Sequence, residues 1–364
     1  MRKNTQVAVT MESQMETFIG IDLATKKSKF CVLDAQAQVL FRGEVPTTRE
    51  DFEKRFAPFV PARVAIETGS VARMADDVLS GMGHTVVVAN PRRVSAITKN
   101  IKKCDEEDAE LLARLVRSDP HLLSPIEHRS ATAHEGLSLL RARDLCVRTR
   151  TAHVNLVRGM AKGFEVKLPT CEADIFAERI SEVVAGTTLG TLLAPILKLI
   201  TELTKSIDEF DNMLAEFGAK HVPTAKPLQR ISGIGPITAI GFALAVDDPK
   251  RFPNQRAIGA YFGLVPRRDQ SGELDKKLGI TKAGDPLIRR LLTQAAQRIL
   301  MTHSKDCDLK RFGEHLLNAG KTNRKRAVSA VARKLACQML RILKTGVPYE
   351  PNFQLQQEGK KTQT

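Results

Sequence analysis

Short apolar runs separated by turn-forming residues dominate the first third of the chain. Thr17-Phe18-Ile19-Gly20-Ile21-Asp22 reads as a buried strand, and two more strands follow over 29–33 and 39–44 with the turn-like Asp34-Ala35-Gln36 between them. These three make a meander. Thr47-Thr48-Arg49-Glu50 has the Thr-x-x-Glu form of a capping box and opens a helix running toward Phe59. A strand at 64–67, a helix over 71–80, the Gly81-Met82-Gly83 punctuation, a strand at 85–89 and an amphipathic helix over 105–118 come next. Strands first, then strands alternating with helices, predict an α/β sheet domain over 16–125.

The period then changes from two to 3.6. A helical, coiled-coil region is expected over 130–222. Its first arm, 133–163, carries Arg141, Arg143, Arg148, Arg150, Arg158 and Lys162. Its second arm spaces Leu193, Ile196, Ile200, Leu203, Ile207, Phe210, Leu214 and Phe217 by alternating steps of three and four, a sustained a/d seam. The heptads leave open whether that seam packs on the first arm or on another subunit. A mainly helical domain follows over 225–350, with helices at 286–301 and 324–343 bearing Arg289, Arg290, Arg298, Lys325, Arg326, Arg333 and Lys334. It opens on Ile231-Ser232-Gly233-Ile234-Gly235-Pro236, where a Gly-x-Gly turn enters a helix whose first amides can receive a phosphate oxygen; a plain tight turn reads equally well. The Gln- and Lys-rich tail, 351–364, is expected to be disordered.

Charge adds an asymmetry. The 364 residues include 56 Lys and Arg against 41 Asp and Glu, a formal net charge of +15. Residues 221–364 hold 26 of the cations and 11 of the anions, whereas residues 1–220 hold 30 of each. A neutral half joined to a basic half is expected of a chain that holds a polyanion at one end. Solubility alone would not require one-sided placement. A membrane surface would call for a basic amphipathic helix with aromatic anchors, and Trp is absent. No run approaches the ~20 apolar residues that span a bilayer, and the polar start lacks a signal-peptide core. A cytoplasmic, nucleoid-associated protein is expected. Cys31, Cys104, Cys146, Cys171, Cys307 and Cys337 are scattered singly, which argues against structural zinc and a disulfide framework.

Candidate chemistry lies in carboxylates. Asp22 and Glu67 each end an apolar strand, and Asp105 and Asp108 lie about one helical turn apart on one face. Four like charges drawn together would repel unless cations neutralised them, and paired Mg²⁺ ions would do so. Each acid singly also has a plain reading: Asp105-Glu106-Glu107-Asp108 suits a helix N-terminus.

These residues resemble the DEDD-type transposases and site-specific recombinases of the insertion-sequence 110 class, relatives of the pilin-inverting recombinases. The matching pieces are Gly20-Ile21-Asp22, Ile66-Glu67-Thr68-Gly69, Asp105-Glu106-Glu107-Asp108-Ala109 with Leu111-Leu112, Gly233-Ile234-Gly235-Pro236, Gly263-Leu264-Val265-Pro266, Ser271-Gly272, Lys282-Ala283-Gly284-Asp285 with Arg289, and Ala332-Arg333-Lys334-Leu335 with Pro348-Tyr349. They stand in family order from Phe18 to Tyr349.

The resemblance implies an N-terminal RNase H-like domain of the Holliday-resolvase type. Asp22, Glu67, Asp105 and Asp108 would hold metal, two Mg²⁺ ions per tetrad, and the C-terminal transposase domain would supply Ser271 as nucleophile. Arg267, Arg268, Lys276 and Lys277 flank that serine and would offset charge developing on a phosphodiester. Gly233, Gly235, Lys282, Arg289, Arg290, Arg141 and Arg148 are further nucleic-acid-binding candidates. The family picture adds a homo-oligomer, dimer or tetramer, in which one chain's tetrad works beside another's serine. It also adds a structured noncoding guide RNA that base-pairs with donor and target DNA.

Departures are Ser232 where the family usually has proline, Cys104 where threonine is common, and residues before Met15 that read as an extension, so translation starting at Met1, Met11 or Met15 stays open. Two other readings stand beside the transposase: a junction-resolving endonuclease that uses only the tetrad and water, and a noncatalytic nucleic-acid-binding scaffold.

Overall fold

The computed structural model describes residues 16–90, 105–271, 274–320 and 322–353, with backbone alone at 105, 106, 268–271 and 274–277. The three candidate start methionines and residues 354–364 of the tail lie outside the described residues. The chain divides into two compact units, 1–128 and 129–364.

In the first unit, β1 (Thr17–Asp22), β2 (Lys27–Leu33), β3 (Val39–Pro46), β4 (Ala62–Glu67) and β5 (Thr85–Ala89) form one sheet in the order β3-β2-β1-β4-β5. The meander pairs antiparallel, while β1–β4 and β4–β5 are parallel. Three helices accompany it: α1 (Arg49–Phe56), α2 (Ala72–Gly81) and α3 (Asp105–Ser118). Strand alternation divides the apolar residues between two faces. Ile19, Ile21, Val32, Val64 and Ile66 pack in a core with Phe52, Phe56, Ala75 and Leu79 of α1 and α2. Phe18, Cys31, Leu33, Ala65 and Ala89 pack in a second core with Ala109, Leu112, Ala113 and Val116 of α3. Burial on both faces is why these strands read as nearly continuous apolar runs.

Helix α1 is capped one residue later than its sequence suggests. Thr48, not Thr47, is the N-cap, its hydroxyl accepting from the Asp51 amide at 3.2 Å and donating to the Asp51 carboxylate at 2.6 Å. Thr47 instead donates to the Ala24 carbonyl at 2.8 Å and meets the Ser28 hydroxyl, tying the helix entrance to the β1–β2 loop.

Close packing of α3 on the sheet depends on Gly20. A Cβ there would lie 2.0 Å from the Ala109 carbonyl oxygen and 2.4 Å from the Ala113 amide nitrogen, so only glycine lets the helix backbone rest on β1.

In the second unit, α4 (Ala131–Gly163), α5 (Phe176–Val183) and α6 (Thr188–His221) form the arms. Arg143 bonds Asp211 and Arg150 bonds Thr204, so the long helices run antiparallel. Within the chain, Leu193, Ile200, Ile207 and Leu214 of the seam are buried, while Ile196, Leu203 and Phe210 are half-buried. The far ends of the arms close over Val154, Val157, Phe176 and Ile180.

The near ends share a larger core with α7 (Pro236–Val246), α8 (Ala257–Tyr261), α9 (Pro286–Ile299), α10 (Asp308–Asn318) and α11 (Arg324–Thr345). Helix α7 is buried along Ala239–Val246, at the centre of that core. The mainly helical second unit also holds one small sheet, which the sequence does not announce. Residues 266–271 and 274–280 form an antiparallel hairpin, β6 (Pro266–Ser271) with β7 (Leu274–Ile280). Their charged sequences carry little of the apolar alternation that marks a strand. Pro351 and Asn352, at the start of the tail, are tied down: the Asp308 amide donates to the Pro351 carbonyl at 2.7 Å and Arg311 donates to the Asn352 side chain at 3.0 Å. No helix among the described residues is long and apolar enough to cross a membrane.

Two outcomes follow from the first unit. Gly20→Ala should cost about 3 kcal/mol through backbone collision, read as a lower urea midpoint of the full chain; an unchanged midpoint would mean that α3 does not rest on β1 there. His84 is buried with Nδ1 accepting from the Ala62 amide at 3.2 Å, and desolvation lowers its pKa below the ordinary 6.5 despite backbone hydrogen bonds acting the other way. The unfolded chain therefore binds this proton more readily, so stability falls as pH drops below about 6.5. A denaturation series should find that fall smaller in His84→Gln.

Candidate nucleic-acid-processing sites

Asp22 and Glu67 are the last residues of neighbouring parallel strands. Ile21 pairs with Ile66, so the two acids stand side by side. Phe18, two residues before Gly20, and Ala65, two before Glu67, belong to the core that α3 covers, and alternation assigns Asp22 and Glu67 to that same face.

The direction of α3 follows from its anchors. Glu110 pairs with Arg42, which lies opposite Cys31, itself opposite Gly20. Arg117, two turns further, donates to the Ala35 carbonyl at 3.1 Å, beyond the Phe18–Leu33 pair. The helix thus runs antiparallel to β1, and its acidic N-terminus points to the end where Asp22 and Glu67 sit. Asp108 immediately precedes Ala109, whose carbonyl lies over Gly20, and is half-buried. The backbone of Asp105 begins the helix one turn nearer that end; its side chain lies outside the described residues.

Among the described residues, no three His, Cys, Asp or Glu side chains lie close enough together to hold a metal ion. What the backbone does is direct the strand ends at Asp22 and Glu67 and the N-terminus of α3 toward one end of one sheet face. Lysines border it: Lys29 lies opposite Asp22, and with Lys27 it grips Glu44 at 3.2 and 2.6 Å, holding that carboxyl below its usual range.

Ser271 is the last residue of β6, paired with Leu274. Gly272 and the serine side chain lie outside the described residues. The register sets position 276 on the same hairpin face as 271, and positions 268 and 277 opposite each other on the other face. Arg267, before them, is exposed.

The remaining candidates divide by partner. Arg289 donates to the carbonyls of Phe262 and Gly284 at 3.2 and 3.0 Å and so anchors the loop after the hairpin. Arg290 and Arg148 both pair with Asp144, Arg148 at 3.0 Å. Arg141 pairs with Asp285 at 3.3 Å, and Asp285 also caps α9. Lys282 is exposed, with positive φ, its amide donating to Gly263 at 3.0 Å. Gly233, at φ +83°, packs 3.1 Å from the Ala295 carbonyl as measured from an added Cβ, whereas a Cβ on Gly235 would meet nothing within 4 Å. Both glycines line a cavity of about 1060 Å³ with Arg143, Arg298, Arg324 and Lys325. Sequence reading marks Arg298 and Lys325 only as charges on helices and does not single out Arg324. Residues about 65 and 90 positions from the glycine turn carry no local signal that they meet it.

Comparison with known proteins shows the family. Residues 19–164 match a family model described as transposase, and residues 225–311 match the model of the transposase IS116/IS110/IS902 family. A transposase for insertion sequence element IS1328 of Yersinia enterocolitica is 30% identical over 286 residues, 77% of this chain and 83% of that protein. A probable family 20 transposase of Pseudomonas aeruginosa is 29% identical over 333 residues, covering 89% and 95%. A pilin gene-inverting protein of Moraxella bovis is 25% identical over 276 residues, covering 73% and 75%. The chain belongs to the IS110 family of transposases, proteins that act on DNA.

The two kinds of cation should separate in solution. Arg289→Ala, which leaves two carbonyls without a charged donor, should lose about 1.5–3 kcal/mol of stability. Lys282→Ala should stay within about 0.5 kcal/mol of the parent in the same urea titration.

Proposed function

We propose that this chain is the strand-exchanging enzyme of a bacterial insertion sequence, with a carboxylate metal site in an RNase H-like first unit and Ser271 as nucleophile in the second. The observation that carries the reading is the adjacency of Asp22 and Glu67 on the face over which the acidic N-terminus of α3 is aimed. The strand order β3-β2-β1-β4-β5, with an antiparallel meander joined to two parallel strands, agrees with an RNase H-like sheet.

Asp22, Glu67, Asp105 and Asp108 would hold divalent ions, two Mg²⁺ by charge count, which supply neutralisation of the charge developing on the phosphoryl oxygens. Ser271 Oγ attacks phosphorus, an Oγ–P bond forms, and the bond to one sugar oxygen breaks. The serine proton ends on the departing sugar oxygen as a hydroxyl, and the phosphoserine ester keeps the energy for rejoining. Arg267 and Lys276 are the cations whose positions suit the phosphoryl charge, while the opposed Arg268 and Lys277 suit a backbone phosphate.

Donor and target DNA are the substrates, and a structured noncoding RNA that pairs with both reads their sequence. The working form is a homo-oligomer, dimer or tetramer. A second apolar strip on α6 supports this: exposed Leu192, Leu199 and Met213 interleave with half-buried Ile196, Leu203 and Phe210 at steps of three and four, save for a seven-residue gap at Ser206.

The deciding experiment incubates the full chain with its element's end DNA, the flanking RNA and Mg²⁺, then looks under denaturing conditions for protein attached to DNA. Wild type should yield the adduct, Ser271→Ala none, and Asp22→Asn at least about a hundredfold less. Cleavage without adduct, equal in wild type and Ser271→Ala, would make water the nucleophile and leave a junction-resolving endonuclease. Undiminished recombination by Asp22→Asn would remove the metal site. Donor and target recognition that survives RNase treatment unchanged would remove the guide.

A further inference from the structure

Strand β3 is the outer strand of the first unit's sheet. It is hydrogen-bonded to β2 on one side, and none of the described residues pairs with its other side. Val39, Leu40 and Phe41 follow one another along it as exposed apolar side chains. Natural edge strands are kept from pairing by prolines, bulges, lysines or a covering element. Here a bulge that leaves Leu40 out of the register with β2 and a proline at position 46 stand only at the two ends. The regular stretch between them, 41–45, is centred on Gly43.

Its two faces differ. Arg42 faces α3, where it pairs with Glu110, and by alternation Glu44 shares that face, held by Lys27 and Lys29. Both remain exposed. Phe41, Gly43 and Val45 face α1: Val45 is buried with Phe52 and Phe56, and Phe41 lies edge-on to Phe59 at 6.4 Å between ring centres. Beside Val45 and Pro46 a groove of about 550 Å³ runs between β3 and α1, walled by Lys54, Pro58 and Phe59.

We propose that β3 pairs antiparallel with β3 of a second copy of this chain, about a two-fold axis through Gly43, and joins two five-stranded sheets edge to edge. This pairing rests on the homo-oligomer of the proposed function and gives it a surface apart from α6. A two-fold perpendicular to the sheet keeps every side chain on its own face, so opposed residue numbers must have an even sum. Centred on Arg42 or Glu44, the pairing would set two arginines or two glutamates in direct opposition, which is destabilising. Centred on Phe41, it would run through the bulge and set Leu40 against Arg42. Centred on Gly43, Arg42 of each copy stands opposite Glu44 of the other, and Phe41 opposite Val45, so the exposed ring reaches the other copy's groove. Net charge does not oppose the approach, since residues 1–128 hold 18 Lys and Arg against 18 Asp and Glu. The face that α3 covers, with Asp22 and Glu67, then lies on the same side of the joined sheet in both copies.

Single cysteines at positions 41, 42, 43 and 44 of the full chain read the register, with diamide as oxidant, no nucleic acid present, and non-reducing electrophoresis. Gly43→Cys stands opposite its own counterpart at a Cα separation of about 4.5–5.5 Å, which a disulfide spans. It should give at least about tenfold more cross-linked dimer than wild type, whose six cysteines set the background. Phe41→Cys is displaced from its counterpart by about 14 Å along the strand and should stay at background. A Cβ at position 43 would lie 3.2 Å from the Phe30 ring, so a second arrangement avoids that site. Arg42→Cys and Glu44→Cys, purified apart, should each stay at background alone and cross-link when mixed. Adding Phe41→Glu should abolish the cross-link in both arrangements, and adding Leu199→Asp, on the apolar strip of α6, should leave it. Background levels in both arrangements, or a maximum at 41, 42 or 44 alone, would overturn the edge pairing while leaving the α6 strip and the serine adduct untouched. Cross-linking abolished by Leu199→Asp and not by Phe41→Glu would overturn it too, assigning the contact to α6.

Discussion

Resting α3 directly on β1 is the constraint from which the organisation of the first unit follows. With a glycine at position 20, the helix backbone can reach the strand and bury Ala109, Leu112 and Ala113 against it. Because the helix runs antiparallel to β1, the same contact that closes the core carries four consecutive acids toward the strand ends where Asp22 and Glu67 stand. Core packing and the direction in which the acidic helix end points are therefore set by one contact. Like charges near the positive end of a helix are tolerated by the macrodipole and favour cations beyond it. A larger residue at position 20 would lift the helix and disperse the acids together.

The second unit divides its positive charge between two tasks. Arg141, Arg143, Arg148, Arg289 and Arg290 are joined to carboxylates or carbonyls that link α4, α6, α9 and the loop after the hairpin. Arginine suits this because its planar fork makes several directed bonds at once. Arg298, Arg324, Lys325, Arg267 and Lys282 are among the cations that remain exposed and so open to a polyanion. Net charge alone therefore overstates the surface available to nucleic acid. Several basic residues that look like binders in the sequence hold the scaffold that positions the others.

The elements of the first unit were legible because both faces of its central strands β1, β2 and β4 are buried. Strands 17–22 and 85–89 and the helix 105–118 have the limits expected from their apolar patterns, and the family was legible from motifs in order. The hairpin at 266–280 was not legible. Its strands are made of Arg, Asp, Gln and Lys, and pairing rather than burial defines them. The heptads of α6 were plain, but their partner was not, since a seam records that something covers it and not what. Within the chain, α4 and α5 bury Leu193, Ile200, Ile207 and Leu214 and leave Ile196, Leu203 and Phe210 half-buried.

Local patterning by itself determined which segments are strands and helices, that two differently charged halves are joined, and which acids end which strands. Those properties depend on residues near one another in the chain. Tertiary structure alone decided that Asp22 and Glu67 are neighbours, that α3 points its acids toward them, and that Arg298 and Arg324 meet a glycine turn far away in sequence. Each of these depends on register, on the direction of a packed helix or on which cation finds a carboxylate first. Such choices are made by steric fit and by competition among like charges across long loops, and periodicity along the chain carries no record of them.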